Sequence, residues 1–367
     1  MNVLHIVNVL SEGGVSSVLM VLLPALKNLR VNVELLILSK SNTESILTLE
    51  KKGVIVHSGK YTSIYDPRNI FLIRSFIKQG NYDIIHTHLF PTQHFVAIAK
   101  IITKSTAKYI TTEHGSYNKR RDKIMFRPIE KMVYKSYDQI IPCSNDSATN
   151  LVKWLKLKKY PKIKTIPNGI NFQKFKHVTR YTKRELNLPD NTKVLIMVAR
   201  FFDAKDHKTV VRSVAFIDKN IHVLFCGSGE NGINECRDLA RTLAVHEQVH
   251  FLGARSDIPE LLKSSDIGIL SSFNEGFPIS LLEYMAAGLP VVCSDVDGSR
   301  ELAQNCGVLF PVGDYVCLAK EITKLLENEK YYNEIAQKCY DRVQNFSEDK
   351  MVKNYQSLYK ELLCKTN

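Results

Sequence analysis

The chain reads as an α/β protein of two successive doubly wound units, each a parallel sheet wrapped in helices. Three observations carry that expectation. The 367 residues are too many for one ordinary core. Short apolar, β-branched runs alternate with stretches of helical spacing from one end to the other. The runs are nearly continuously apolar, as strands covered on both faces must be.

In the first half the strand candidates are NVLHIVNVL, NVELLILS, GVIVHS, YDIIHTHL, KYITTEH, QIIPCS and IKTIPNG. Between them lie segments such as DPRNIFLIRSFIKQG, whose apolar residues recur at helical spacing. The second half restarts near Val194 with VLIMVA, HVLFCGSG, VHFLGA, IGILSS and PVVCSD. The polar segment NGINFQKFKHVTRYTKRELNLPDN separates the halves with Asn-Gly and Leu-Pro-Asp-Asn turn signals. It places a hinge near 168–175 and domains at 1–172 and 173–346. After about residue 313 the pattern is helical only. A terminal segment, 347–367, holds a last helix over roughly 347–363 with no strand to follow it. Ligands of open α/β sheets bind beyond the carboxyl ends of the strands, so a ligand is expected in a cleft between the two domains.

Composition narrows the class. Hydrophobic content of 44% and charged content of 24% suit a soluble globular protein. No apolar run reaches the roughly 18 residues of a transmembrane helix. The start, MNVLHIVNVLSEGG, lacks a basic leader and a small-residue cleavage site, and reads as a buried strand. Eight cysteines without a Cys-x-x-Cys pair or histidines at zinc spacing suit reduced core thiols in the cytoplasm.

The net charge of +13 is lopsided. Residues 1–172 carry 25 Lys and Arg against 11 Asp and Glu, whereas 173–367 carry 25 against 26. Two stretches concentrate the excess: YNKRRDKIMFRPIEKMVYK (117–135) and LVKWLKLKKYPKIK (151–164), the latter with six lysines and the lone Trp154. Three readings compete: a solvated basic face, a surface resting on anionic lipid, and nucleic-acid binding. Basic residues mixed with Trp, Leu and Tyr suit a membrane interface. No nucleic-acid motif accompanies the charge, so no nucleic acid is expected as a partner.

Several motifs bear on chemistry. Gly13 and Gly14 stand at a strand-to-helix turn, where backbone amides can approach a phosphate or the chain can simply turn tightly. The pattern is not Gly-x-Gly-x-x-Gly, and no acid follows the second strand to hold a ribose, which weakens a nicotinamide reading. Arg200 and Lys205 sit at the carboxyl edge of the second sheet and can place two positive charges on one diphosphate, although loop cations are often merely solvated. The stretch FNEGFPISLLEYMAAGLPVV (273–292) is more specific. Pro278 fits the first helical position, leaving the amides of Ile279 and Ser280 free for an anion. Glu275 repels phosphate but can accept hydrogen bonds from sugar hydroxyls, and Glu283 can do the same for a ribose diol. Against this, Glu275 could be a helix-end acid favoured by the dipole, and Glu283 an exposed helix residue.

Glu275 to Glu283 resembles the E-x7-E motif of the retaining glycosyltransferases of group 1 (family 4). The resemblance runs through most of the chain: the EGG turn, DIIHTH, TEHG, PNGIN, AR-x4-K, EGFPISLLEYMAAGLPVV and GVLFPVGD. It implies the GT-B fold of two Rossmann-like domains facing across a cleft, with the last helix crossing back to the first domain. It implies further that the second domain holds a nucleotide sugar and the first an acceptor. By this resemblance Arg200 and Lys205 grip the donor diphosphate, Glu275 meets sugar hydroxyls and Glu283 the ribose. Gly276, Phe277, Ile279 and Ser280 complete the donor site, with Gly13 and Gly14 under the phosphates. His114 in TTEHGS matches a histidine near the donor sugar and the reacting centre, the alternative being a satisfied strand-end histidine, so by this resemblance His114, Glu275, Arg200 and Lys205 are the catalytic candidates.

His86 and His88 alternate along a strand and are expected on opposite sides, a metal pair only superficially. They read as structural or acceptor-side groups. Asp295-Val-Asp297 is a DxD, the metal site of the other major glycosyltransferase fold, but here an ordinary loop before Gly298 is expected. With two cations and helix amides available, no metal or other cofactor is expected.

The resulting expectation is a retaining glycosyltransferase that moves a hexose or N-acetylhexosamine from a nucleoside-diphosphate sugar, UDP-linked, to a lipid-linked glycan in surface polysaccharide assembly. It would work in the cytoplasm, peripheral on the inner face of the membrane. A nucleotide-sugar 2-epimerase of the same fold and a non-catalytic sugar- or nucleic-acid-binding module are the alternatives.

Overall fold

The structure, a computed structural model, describes residues 1–11, 13–39, 41, 43–157 and 162–364. The chain divides into two compact units, Met1–Asn168 with Glu348–Asn367, and Gly169–Ser347.

The first unit runs β1 (Asn2–Val7), α1 (Gly14–Asn28), β2 (Asn32–Ile37), α2 (Thr43–Lys51), β3 (Ile55–Ser58), α3 (Asn69–Gln79), β4 (Ile84–His88), α4 (Thr92–Thr103), β5 (Lys108–Glu113), α5 (Arg127–Lys135), β6 (Gln139–Pro142) and α6 (Asn145–Leu155). Its six parallel strands are ordered β3-β2-β1-β4-β5-β6. The chain starts in the middle of the sheet, builds one half, then returns to build the other. Right-handed crossovers therefore place α1 and α2 on one face and α4 and α5 on the opposite one. β1 and β4 are buried along nearly their whole length, β4 with two histidines and a threonine among its five residues.

The second unit repeats the plan: β7 (Lys193–Val198), α7 (His207–Val214), β8 (Ile221–Cys226), α8 (Glu230–Thr242), β9 (Val249–Gly253), α9 (Ile258–Lys263), β10 (Ile267–Leu270), α10 (Ile279–Ala286), β11 (Val291–Ser294), α11 (Asp297–Ala303), β12 (Val308–Phe310), α12 (Tyr315–Glu327) and α13 (Glu329–Val343). Its sheet order, β12-β11-β10-β7-β8-β9, is the same topology. The point where the strand order reverses lies between β7 and β10, and it is there that open α/β sheets take their ligands.

The last helix, α14 (Glu348–Cys364), belongs to the first unit. Tyr359 reaches His86 on β4, with 2.6 Å from its hydroxyl to Nδ1. Gln356 donates to the Leu29 carbonyl at 3.1 Å.

Three details differ from the sequence reading. IKTIPNG forms a single bridge rather than a full strand, Ile163 pairing with Ile140 in parallel. Three backbone bonds tie the segment to the edge of β6: Ile140 N–H to the Lys162 carbonyl at 2.7 Å, and Lys164 N–H to the Ile140 carbonyl and Ile166 N–H to the Pro142 carbonyl, both 3.1 Å. A sixth strand, β12, arises from the LF of GVLFPVGD and its preceding valine, too short to show a period. The unit boundaries fall at 168/169 and 347/348, not 172/173 and 346/347. Ile170 bridges to Ser347, and its N–H donates to the Phe346 carbonyl at 2.9 Å, which ties both segments to the second unit.

Candidate functional site

Two loops meet at the switch point of the second unit. One leaves β7 and carries Arg200 and Lys205; the other leaves β10 and carries Glu275. They are stitched together by backbone bonds: Asp206 N–H to the Ser271 carbonyl and Phe273 N–H to the Ala204 carbonyl, both 3.0 Å, with a bridge between Lys205 and Ser272. Asp206 then caps α7 by accepting from the Thr209 amide at 3.2 Å.

This stitching delivers Lys205 to Glu275. The ammonium donates to Glu275 Oε1, and the Ser272 hydroxyl donates to the same oxygen at 2.6 Å. Both Lys205 and Glu275 are largely shielded from solvent. Arg200 is exposed, its guanidinium 5.2 Å from the centre of the Phe202 ring. The arrangement offers one paired cation, one exposed cation and a shielded carboxylate on two loops bonded through their backbones.

α10 begins at Ile279, with Pro278 at the N-cap in an extended conformation (ψ 120°). That corrects the expected placement of Pro278 as the first helical residue. The consequence for chemistry is unchanged, because the first-turn amides, those of Ile279 and Ser280 included, have no partner within the helix. Phe277 is buried, with its ring 5.1 Å from that of Phe346. Glu283, one turn on, is only partly exposed, and burial pushes its carboxyl up to about 7, opposed by the Lys174 charge. It is therefore not the exposed helix residue that its spacing allowed.

Glycines that the sequence reading passed over shape this floor. A Cβ on Gly298 would lie 2.1 Å from the Gly276 carbonyl oxygen, and Gly298 N–H donates to the Glu275 carbonyl at 3.3 Å. Gly298 lies in the first turn of α11 rather than after a loop. Gly227 and Gly229 sit at positive φ where a Cβ would meet the Ala199 and Phe201 carbonyl oxygens at 2.0 and 2.4 Å. The CGSG signal was visible at the end of β8, but not what it would touch. The Asp295-Val-Asp297 carboxylates both face Arg300, at 2.5 and 3.5 Å, an ion-pair cluster rather than an open ligand set.

Gly13, Gly14 and His114 lie in the first unit. Gly13 is the N-cap of α1 at φ 136°, a conformation that favours glycine, and Gly14 opens the helix. Glu12 of the EGG turn is outside the described residues. His114 follows β5, partly exposed, with Nε2 3.1 Å from His88 Nδ1. Burial holds its pKa down at about 4.

The expectation that His86 and His88 face opposite sides is wrong. Residues two apart on a strand share a face, and β1 pairs with β4 so that His5 stands beside His86. His5, His86 and His88 are fully buried, with ligand-type nitrogens within 4.8 Å of one another. That is a spacing a metal ion could span, yet all six ring nitrogens already have hydrogen-bond partners. His5 was missed because a lone histidine in NVLHIV gives no signal until the strand register is known.

The basic stretches also resolve differently than expected. Trp154 is only 9% exposed, donates to Glu130 Oε2 at 2.8 Å and lies under Arg127. It is a core residue, because burying the indole is worth more than wetting it and Glu130 satisfies its N–H. Lys158 and Lys159 are outside the described residues. In 117–135, by contrast, Ile124, Met125 and Met132 are 68%, 70% and 64% exposed among Lys123, Lys131 and Lys135.

With this geometry in view, the chain can be set beside known proteins. The family model described as Glycosyltransferase Family 4 matches residues 12–174, and that of Glycosyl transferases group 1 matches 179–342. The chain is 26% identical over 316 residues to the UDP-Gal:α-D-GlcNAc-diphosphoundecaprenol α-1,3-galactosyltransferase of Escherichia coli, covering 82% of this chain and 81% of that one. It is 29% identical over 365 residues to the N,N'-diacetylbacillosaminyl-diphospho-undecaprenol α-1,3-N-acetylgalactosaminyltransferase of Campylobacter jejuni, covering 94% and 95%. Its fold matches that of Anabaena HepE, solved with UDP and glucose, at a TM-score of 0.87 over 98% of this chain and 100% of that one, with 18% identity. The two family models between them leave little beyond the ends unmatched, so the chain belongs to the group 1 glycosyltransferases and is a glycosyltransferase with the GT-B fold.

Proposed function

We propose that this glycosyltransferase moves a hexose or N-acetylhexosamine from a UDP-sugar to a lipid-linked glycan, with retention at the anomeric carbon, in surface polysaccharide assembly. The observation that carries the reading is the convergence, at the switch point of the second unit, of Arg200, the Lys205–Glu275 pair and the first turn of α10. The relatives support the donor and acceptor: one is named for UDP-galactose, and two for sugars on diphospho-undecaprenol.

In this reading Arg200 and the α10 amides take the diphosphate, and Lys205 sits between phosphate and Glu275. Glu275 accepts from donor-sugar hydroxyls, and Glu283 from the ribose. The bond from the anomeric carbon to the phosphate oxygen breaks while the acceptor oxygen bonds on the same face. The acceptor proton passes to the departing phosphate. Fixed cations help most here because the charge on the diphosphate grows in the transition state. We assign no metal or other cofactor: cations and amides neutralise the leaving group, and Arg300 occupies the Asp295 and Asp297 carboxylates. The exposed Ile124, Met125 and Met132 amid lysines suit an anionic membrane surface on the cytoplasmic face, where a lipid-linked acceptor would be met.

The test is calorimetric binding of UDP, GDP and ADP, with and without EDTA, on wild type and Arg200→Ala. UDP should bind regardless of EDTA, and at least about tenfold (about 1.4 kcal/mol) more weakly to the variant. Absence of UDP binding, or its loss in EDTA, overturns the donor assignment.

A further inference from the structure

Five side chains of the first unit continue the contact of His114 into the core as one hydrogen-bonded chain. His114 Nε2 is 3.1 Å from His88 Nδ1, and His88 Nε2 is 3.0 Å from His5 Nδ1. His5 Nε2 is 3.4 Å from the Tyr359 hydroxyl, which lies 2.6 Å from His86 Nδ1. His86 Nε2 ends the run 2.7 Å from the Thr112 hydroxyl. Every member except His114 is buried. The register of the sheet builds the chain: His5 is level with His86, and His88 with Thr112.

A neutral imidazole has one N–H and one lone pair. Each ring in the run uses both nitrogens within it, so fixing one proton fixes the direction of all. Two orders satisfy every partner. In one, protons point outward and His114 is protonated on Nδ1; in the other they point inward, and His114 donates from Nε2 and keeps a lone pair on Nδ1. The distances choose between them. An O–H donor approaches its acceptor more closely than an N–H donor does, and the single Tyr359 proton can go to only one ring. The hydroxyl therefore donates across the 2.6 Å contact to His86 and accepts across the 3.4 Å contact from His5, which leaves His86 Nε2–H to donate to Thr112 at 2.7 Å. That is the inward order. Burial keeps the pKa of His5 at about 3 and that of His114 at about 4, with His86 and His88 also well below the ordinary value, so the rings are neutral at neutral pH.

We propose that this buried run is a positioning device for His114: His88 and His5, backed by Tyr359 of the last helix, hold the His114 proton on Nε2 and leave Nδ1 as an acceptor for a sugar hydroxyl. His114 Nδ1 has no hydrogen-bond partner among the described residues, and the residue is partly exposed. A metal centre is the weaker reading of the same cluster, since ligation would have to break bonds that already satisfy all six nitrogens of His5, His86 and His88. The proposal rests on the donor-sugar reading for His114, but its structural half does not.

The experiment is ¹⁵N NMR of the histidine side chains, which reports the tautomer, on wild type, His5→Phe and the near-isosteric Tyr359→Phe. Turnover of a UDP-sugar and UDP affinity are followed on the same samples. Wild-type His114 should be the Nε2–H tautomer. His5→Phe should turn it into a mixture and lower kcat about tenfold with the donor KM within about twofold. Tyr359→Phe should act in the same direction more weakly. An Nδ1–H tautomer in wild type, an unchanged His114 spectrum in both variants, or a stoichiometric metal in the purified protein overturns the relay. A shifted tautomer with unchanged kcat overturns its role in the reaction. Loss of UDP binding in wild type would count against the donor site of the second unit and leaves the tautomer result to decide the relay on its own.

Discussion

Lys205 and Glu275, seventy residues apart, form an ion pair whose carboxylate oxygen is shared with the Ser272 hydroxyl. The pair exists because the β7 and β10 loops are bonded through their backbones at the switch point. Its two members should fail in different ways. Glu275→Gln keeps the shape and the Ser272 contact, so UDP should bind within about threefold of wild type while kcat falls about 10²-fold or more. Lys205→Ala should weaken UDP by about tenfold, about 1.4 kcal/mol. Calorimetry and initial rates separate these; full turnover in Glu275→Gln would remove that residue from the chemistry.

Glu283 should leave a pH signature. Its pKa is raised from 4.5 to about 7 by burial. A raised acid favours the fold while protonated, so its contribution is present below 4.5 and is lost as pH rises through 7. Glu283→Gln lacks that loss. The Tm of the variant relative to wild type should therefore be higher at pH 8 than at pH 5, by roughly 2–4 °C. If ribose hydroxyls donate to the ionised carboxylate, UDP binding near pH 7 should also release protons from wild type but not from the variant. Calorimetry in buffers of different ionisation enthalpy reads this directly.

Gly298→Ala tests the floor of the site. The added methyl would meet the Gly276 carbonyl oxygen at 2.1 Å and the Glu275 carbonyl oxygen at 3.0 Å, backbone of the same turn that carries Glu275. Overpacking of this kind costs about 1–3 kcal/mol. The variant should melt lower and lose turnover at least about tenfold, while unchanged kinetics would show that the turn has slack.

Glu130 anchors the basic stretch from within. It is 1% exposed and meets Arg120 at 3.0 Å, Arg121 at 3.8 Å and the Trp154 indole at 2.8 Å. Glu130→Ala leaves the Arg120 guanidinium and the Trp154 N–H without their carboxylate, while Arg121 keeps Glu113 at 3.1 Å; the loss should cost about 3–5 kcal/mol. Chemical denaturation measures it, and a loss below about 1 kcal/mol would mean that water or Glu113 replaces the carboxylate.

The exposed apolar group in 117–135 gives a binding prediction. Replacing Ile124, Met125 and Met132 together by serine should reduce sedimentation with vesicles containing anionic lipid several-fold, without changing UDP affinity. Each buried side chain is worth about 1.5–3 kcal/mol when fully withdrawn from water. Unchanged sedimentation would mean that this face meets something else.

Much of this protein could be read from local pattern. Continuous β-branched runs announced β1 to β11, because a strand buried on both faces needs apolar side chains on both. The segment from Glu275 to Glu283 announced a helix end beside two carboxylates, because turn, cap and spacing are short-range properties. What local pattern does not contain is which distant residues share an environment. Histidines two apart on β4 acquire meaning only when the register with β1 brings His5 level with His86 and α14 lays Tyr359 against them. Trp154 looked interfacial beside its lysines, and is buried because Glu130, on another helix, meets its N–H. Lys205 and Glu275 looked like separate ligand groups, and pair because two loops meet at one edge of a sheet. In each case the deciding interaction is a contact between residues far apart in the chain, a distance set by strand order and packing rather than by spacing along the backbone.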